Sequence, residues 1–117
     1  MVQFYLDKEL FSEQYRETAI NYTVYAAVRL RKETGNKHID FDTVIWDREI
    51  PEIIDTLKRM GETEFTISTN MSSLVETLAC FNKFGVEIAG MTEINSRYTD
   101  SITSKRTKTH AILMKVN

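Results

Sequence analysis

The chain has 117 residues, 42% of them hydrophobic and 27% charged, with a formal net charge of −2. That length supports one domain with its own core, and the composition is that of a folded globular protein. No run of about 18 apolar residues exists, which excludes a membrane-spanning helix of ordinary length.

The first residues, Met1 to Leu10, carry neither a basic start nor a long apolar segment, so no signal peptide is expected. Val2, Phe4 and Leu6 alternate with polar neighbours, as in a short strand or the lead-in to a helix. Asp7 suits an N-cap. From Lys8 to Lys32 there is no Gly or Pro, and the pattern predicts one long helix. Its apolar stripe runs through Phe11, Tyr15, Thr18, Tyr22, Ala26 and Arg29, and Glu33 to Asn36 end it. Tyr15, Tyr22 and Tyr25 offer either a packed face or a base-stacking platform.

Ile39 to Trp46 reads as a strand with Val44, Ile45 and Trp46 at its apolar end. Asp47 then caps a second helix that runs to Met60, with Pro51 in its first turn, where a missing N–H costs least. Ile50, Ile53, Ile54, Leu57 and Met60 form its inner face, and Gly61 stops it. The segment from Thr63 to Asn95 predicts strand, turn, helix and strand. Phe65 and Ile67 alternate with Thr66 and Ser68; Ser73 and Glu76 have capping-box spacing; Leu74, Val75, Leu78 and Phe81 mark a buried face. Gly85 is the expected stop, because glycine enters the left-handed region without a steric penalty. Val86 to Asn95 resumes a strand pattern with Val86, Ile88 and Ile94 on one side, and His110 to Val116 alternates with apolar residues on both sides.

These elements predict a single domain over residues 1–117. The class is α/β, with α+β as the alternative: a long N-terminal helix, then a βαβαββ core with a mixed sheet and a C-terminal antiparallel hairpin. An uncovered outer strand or the aromatic long helix offers a homodimer contact.

The charge is uneven. Residues 1–96 hold ten Lys/Arg and sixteen Asp/Glu, whereas residues 97–117 hold five Lys/Arg and one Asp. Arg97, Lys105, Arg106 and Lys108 gather at the hairpin tip, where they would meet phosphate or an acidic partner; the alternative is a solvated loop. A second candidate is the turn at Asn70, Ser72 and Ser73, which follows a strand and opens a helix, a place where free N–H groups hold anions. Plain helix capping is its alternative. His38 and His110 have no partners at metal-ligand or triad spacing, and Asp40 with Asp42 lacks the further ligands of a metal site. No Gly-rich phosphate loop is present, and Cys80 is the only cysteine, which suits a reducing compartment. No cofactor, no metal and no catalytic residues are expected.

Five segments carry a resemblance: Thr43–Asp47, Ile50–Ile53, Glu64–Ser68, Ser72–Ala79 and Ser96–Asp100. Together they resemble a family of small proteins carried on conjugative elements and plasmids of Gram-positive bacteria. The resemblance spans roughly residues 39 to 116 and brings no catalytic residues with it. It implies an accessory protein of mobile DNA in a bacterial cytoplasm. By analogy of context it implies an anti-CRISPR inhibitor that binds an RNA-guided effector nuclease or its guide RNA. The alternatives are a mobile-element accessory or regulatory protein that binds DNA or a plasmid protein, and a small anion-binding enzyme at the Asn70–Ser73 turn.

Overall fold

The computed structural model describes residues 21–117. The expectations for Val2 to Leu6, the cap at Asp7, and the helix from Lys8 to Ile20 lie outside them. Helix α1 spans Tyr22–Thr34. Asn21 is extended, and its side chain accepts from the Val24 N–H, so α1 starts at that cap. Gly35 closes it at φ 72°, donating to the Arg31 carbonyl. Strand β1 (Ile39–Phe41), a 3-10 turn at Asp47–Glu49, α2 (Ile50–Arg59), β2 (Glu64–Ile67), α3 (Leu74–Lys83), β3 (Val86–Thr99) and β4 (Arg106–Val116) follow.

The sheet order is β1-β2-β4-β3. β1 and β2 are parallel, while β4 is antiparallel to both β2 and β3. The βαβαββ core with a mixed sheet therefore stands. The parallel pair comes from the β1–α2–β2 crossover, and the α3 crossover carries the chain past the place that β4 later fills.

One apolar cluster joins the helices to one face of the sheet. It holds Val24 and Val28 of α1, Ile50, Ile53, Ile54 and Leu57 of α2, and Phe81 of α3, against Phe41, Phe65, Ile67, Met114 and Val116. Phe41, Phe65 and Phe81 form an aromatic chain with centroids 5.4 Å apart at each step. Burial of each such side chain contributes about 1.5–3 kcal/mol.

Several local expectations are corrected. The inner face of α1 is Val24, Tyr25, Ala27 and Val28, whereas Tyr22, Ala26 and Arg29 point outward. β1 stops at Phe41; in the loop beyond, Ile45 is buried while Val44 and Trp46 are exposed. Asp47 is the first residue of the 3-10 turn rather than its cap, and the Trp46 N–H meets Glu49 Oε2 at 3.4 Å. Ser73 makes no capping hydrogen bond, so the Ser73–Glu76 box does not form. α3 buries Thr77 and Phe81 and leaves Val75 75% exposed.

Beyond the Ile67–Ile112 pair, β4 leaves β2 and continues with β3 as a two-stranded arm. The arm carries register shifts at Ile88/Gly90 and at Asn95/Thr99. Such bulges bend a ribbon and re-aim side chains. The arm returns to the far side of the sheet: the Asn95 N–H donates to Asn36 Oδ1 (2.9 Å) and Asn36 Nδ2 donates to the Asn95 carbonyl (2.8 Å).

Candidate functional site

Between this arm and the C-terminal ends of β1 and β2 lies a cleft of about 480 Å³. One wall is the sheet, with Asp40, Asp42, Ser68 and Asn70; the other is the arm, with Arg97 and Lys108. Thr43, Thr69, Ser96, Tyr98, Thr107 and Thr109 complete the lining. The position matches the rule that open α/β sheets collect ligands beyond the carboxyl ends of their strands.

Strand alternation places Phe41 in the core and turns Asp40 and Asp42 to the other face. Asp40 is buried and accepts from Thr66 Oγ1 (2.7 Å) and Ser68 Oγ (2.6 Å). Burial pushes its pKa above the ordinary value; the two hydroxyls pull the other way, Asp42 adds to the rise and Arg97 opposes it. Asp42 takes both Nε and Nη2 of Arg97 at 2.7 Å, a two-point fork. That bond with Asp42 holds the Arg97 pKa above its usual value. The bulge between Asn95 and Thr99 turns Arg97 off the ladder toward Asp42.

The four hairpin cations separate. Arg97 and Lys108 line the cleft, and Lys108 Nζ donates to Asn95 Oδ1 at 2.6 Å. Lys105 and Arg106 sit outside it near the tip, where Arg106 Nη1 donates to the Arg97 carbonyl at 2.9 Å. Of the turn candidates, Asn70 faces the cleft, whereas Ser72 and Ser73 do not line it and stand exposed at the start of α3. Two separate sequence candidates thus meet through Asn70, Arg97 and Lys108.

The tip itself is ordered by Asp100, whose Oδ1 accepts the N–H groups of Ile102 (2.8 Å) and Thr103 (3.0 Å). Those bonds hold its carboxyl below the ordinary value. Ser104 closes the loop at φ 60°, and Ile102 is left 91% exposed. Of the tyrosines that offered a stacking platform, Tyr15 lies outside the described residues; Tyr25 is buried and Tyr22 exposed, their ring centroids 6.3 Å apart.

Sequence reasoning weighed Asp40 and Asp42 only as a metal pair and did not place them in a cleft with Arg97. The available signal was the pattern Asp40-Phe41-Asp42, a buried aromatic flanked by two carboxylates on a strand. Among the described residues no group of three or more His, Cys, Asp or Glu is placed to hold a metal ion. No described helix is long and apolar enough to cross a membrane.

No curated protein and no solved structure matches the chain. A family model described as a domain of unknown function, DUF7698, matches residues 23–116, from α1 to the end of β4. That match covers most of the chain, which therefore belongs to the DUF7698 family.

Proposed function

We propose that this chain is a non-enzymatic binding protein, that the β3–β4 arm is its contact element, and that its partner is a CRISPR effector nuclease approached through the guide RNA. The observation that carries the contact element is the arm itself. It departs from the core sheet at Ile112, is pinned at Asn36 and Asp42, and presents Tyr98 from the end of β3 and Ile102 and Lys105 from an ordered loop to solvent. A preorganised loop loses little entropy on binding. The cationic side chains favour a polyanion. The partner class comes from the mobile-element setting that the sequence resemblance implies, in a bacterial cytoplasm.

A binding role also fits the chemistry of the cleft. Ser68 is held by a carboxylate, and neither histidine lines the cleft: His38 lies 3.7 Å from Glu64, and His110 pairs across the ladder with Glu93. The common activating base for a serine hydroxyl is an imidazole, and neither histidine stands beside Ser68.

The test is a plasmid-cleavage assay with a guide-loaded effector, the protein being added before or after guide loading. The expected result is inhibition that depends on the order of addition and is lost when Lys105, Arg106 and Lys108 are replaced by Ala. Full inhibition by that triple variant would remove the arm from the mechanism. Tight binding to duplex DNA with no effect on cleavage would support a mobile-element accessory protein instead.

A further inference from the structure

We infer that the cleft beneath the arm seats one phosphorylated ribose of an RNA strand. This rests on the reading of the arm as a nucleic-acid-facing element, and it adds a ligand, a sugar preference and a role for the sheet wall.

The two walls differ in chemistry. The arm supplies Arg97 and Lys108, both cationic, while the sheet supplies Asp40 and Asp42, both carboxylic. A bare anion would gain from one wall and be repelled by the other, and a bare cation would meet the reverse. The ligand that suits both is anionic at one end and rich in hydroxyl donors at the other. A phosphorylated ribose has that distribution. The cleft volume, about 480 Å³, lies in the range of about 300–1,000 Å³ usual for ligand pockets.

The donors are set in advance. Asp42 uses Nε and Nη2 of Arg97 and leaves Nη1 without a partner among the described residues. A guanidinium fixed on one side by a carboxylate presents its remaining N–H groups to a phosphate in a defined plane. Lys108 spends one proton on Asn95 and keeps two. On the opposite wall Asp40 has both oxygens engaged by hydroxyls, which fixes its carboxyl group at the floor. The remaining acceptor positions on Asp40 and Asp42 suit ribose hydroxyls, and the 2′-OH is the group that separates RNA from DNA. Tyr98 lines the same cleft and is 69% exposed, which leaves a ring face for the attached base.

A phosphorylated ribose occurs both in free nucleotides and in RNA. The strand is favoured because the cationic groups continue from the cleft to Arg106 and Lys105 on the tip, a track for neighbouring phosphates.

The test is fluorescence anisotropy with a labelled single-stranded RNA and with DNA of the same sequence, competed by free nucleoside monophosphate and by inorganic phosphate. The variants are Lys108→Met, Arg97→Lys, Asp40→Asn and the tip pair Lys105→Ala/Arg106→Ala, each checked for an unchanged circular dichroism spectrum. RNA is expected to bind about tenfold more tightly than DNA, the effect of one well-formed hydrogen bond to a charged group. Lys108→Met and Arg97→Lys should each weaken RNA binding by about tenfold, and Asp40→Asn should narrow the gap between RNA and DNA. Equal affinity for RNA and DNA, lost only in the tip pair, would overturn the cleft assignment and leave the arm reading in place. No binding to either strand, with effector cleavage still inhibited, would overturn the cleft assignment and make the arm a protein-docking element. No binding and no inhibition would remove both readings. Competition by free nucleotide at the affinity of the strand would overturn the strand and retain the phosphorylated ribose.

Discussion

Thr77 on α3 is fully buried, and its hydroxyl has no hydrogen-bond partner among the described residues. A buried, unpaired hydroxyl costs about 1–3 kcal/mol. Thr77→Val keeps the shape and removes that cost, so it should raise unfolding stability by about 1 kcal/mol, seen as a higher urea midpoint at constant m. A lower midpoint would mean that the hydroxyl is satisfied. Asp40 makes a second case at this scale. Burial lifts its folded pKa above the unfolded value, so the native state holds its proton to a higher pH. Stability therefore falls as pH rises from the unfolded pKa through the folded one, and is flat above it. Asp40→Asn should abolish that slope, with the amide oxygen accepting from one of the two hydroxyls and the NH2 donating to the other; a pH series of denaturant melts checks it. Asp100 has the opposite sign. Its lowered carboxyl favours the native tip above the unfolded pKa, and that preference is lost as pH falls through the folded one. Asp40 could not be ranked from the sequence, because its surroundings come from Thr66, Ser68 and Arg97, which lie distant in the chain, whereas Asp100 is held by its near neighbours Ile102 and Thr103.

At the scale of elements, legibility followed how strongly one face is buried. α2 is the clear case: Ile50, Ile53, Ile54 and Leu57 are all buried, and Pro51 stands in its first turn. α1 misled because the stripe was drawn through Tyr22, Ala26 and Arg29, while the buried face is the neighbouring one, Val24, Tyr25, Ala27 and Val28. α3 misled for a related reason. Val75 follows Leu74 in the apolar run, yet a helix turns by about 100° per residue and carries the second one outward. Val75→Asp is therefore expected to shift stability by no more than about 0.5 kcal/mol, as at an ordinary surface site. A larger loss in a thermal melt would mean that this face is covered. β3 misled through its bulges. Val86 and Ile88 share a parity, but the shift at Ile88/Gly90 resets it, so Ile94 belongs to a different phase. Gly90 makes that shift at φ 146°, a conformation L residues rarely adopt, with no neighbour within 4 Å of where a Cβ would stand. Gly90→Val should cost about 1–3 kcal/mol through backbone strain alone. Gly90→Ala losing less than a few tenths of a kcal/mol would show that the bulge relaxes elsewhere.

For the whole molecule, the decisive arrangement is that the arm folds back and closes on the body. The hairpin was legible, because period-two alternation and the polar run between the strands mark it. The strand order was not, since no local pattern says that β4 inserts between β2 and β3. Nor was the closure. It depends on a reciprocal pair of amides, Asn36 and Asn95, and on the Asp42–Arg97 fork, residues more than 50 positions apart with no pattern to announce them. The two contacts should contribute differently. The Asp42–Arg97 pair is partly solvated, with side chains 19% and 43% exposed, so it adds at most about 1 kcal/mol. Asn36 both accepts from the Asn95 N–H and donates to its carbonyl, and each bond contributes about 0.5–1.5 kcal/mol. The core does not depend on either, since Phe41, Phe65 and Phe81 pack without them. Opening of the arm should therefore be a local event below the global unfolding energy. In native-state hydrogen exchange the Asn95 amide should be protected in the wild type. Asn36→Ala should speed its exchange by about tenfold or more, the loss of at least one such bond. The amides of Phe65 and Met114 should exchange at unchanged rates. Equal acceleration at all three sites would show that the arm and the core open as one unit, and the cleft would then exist only while the whole fold does.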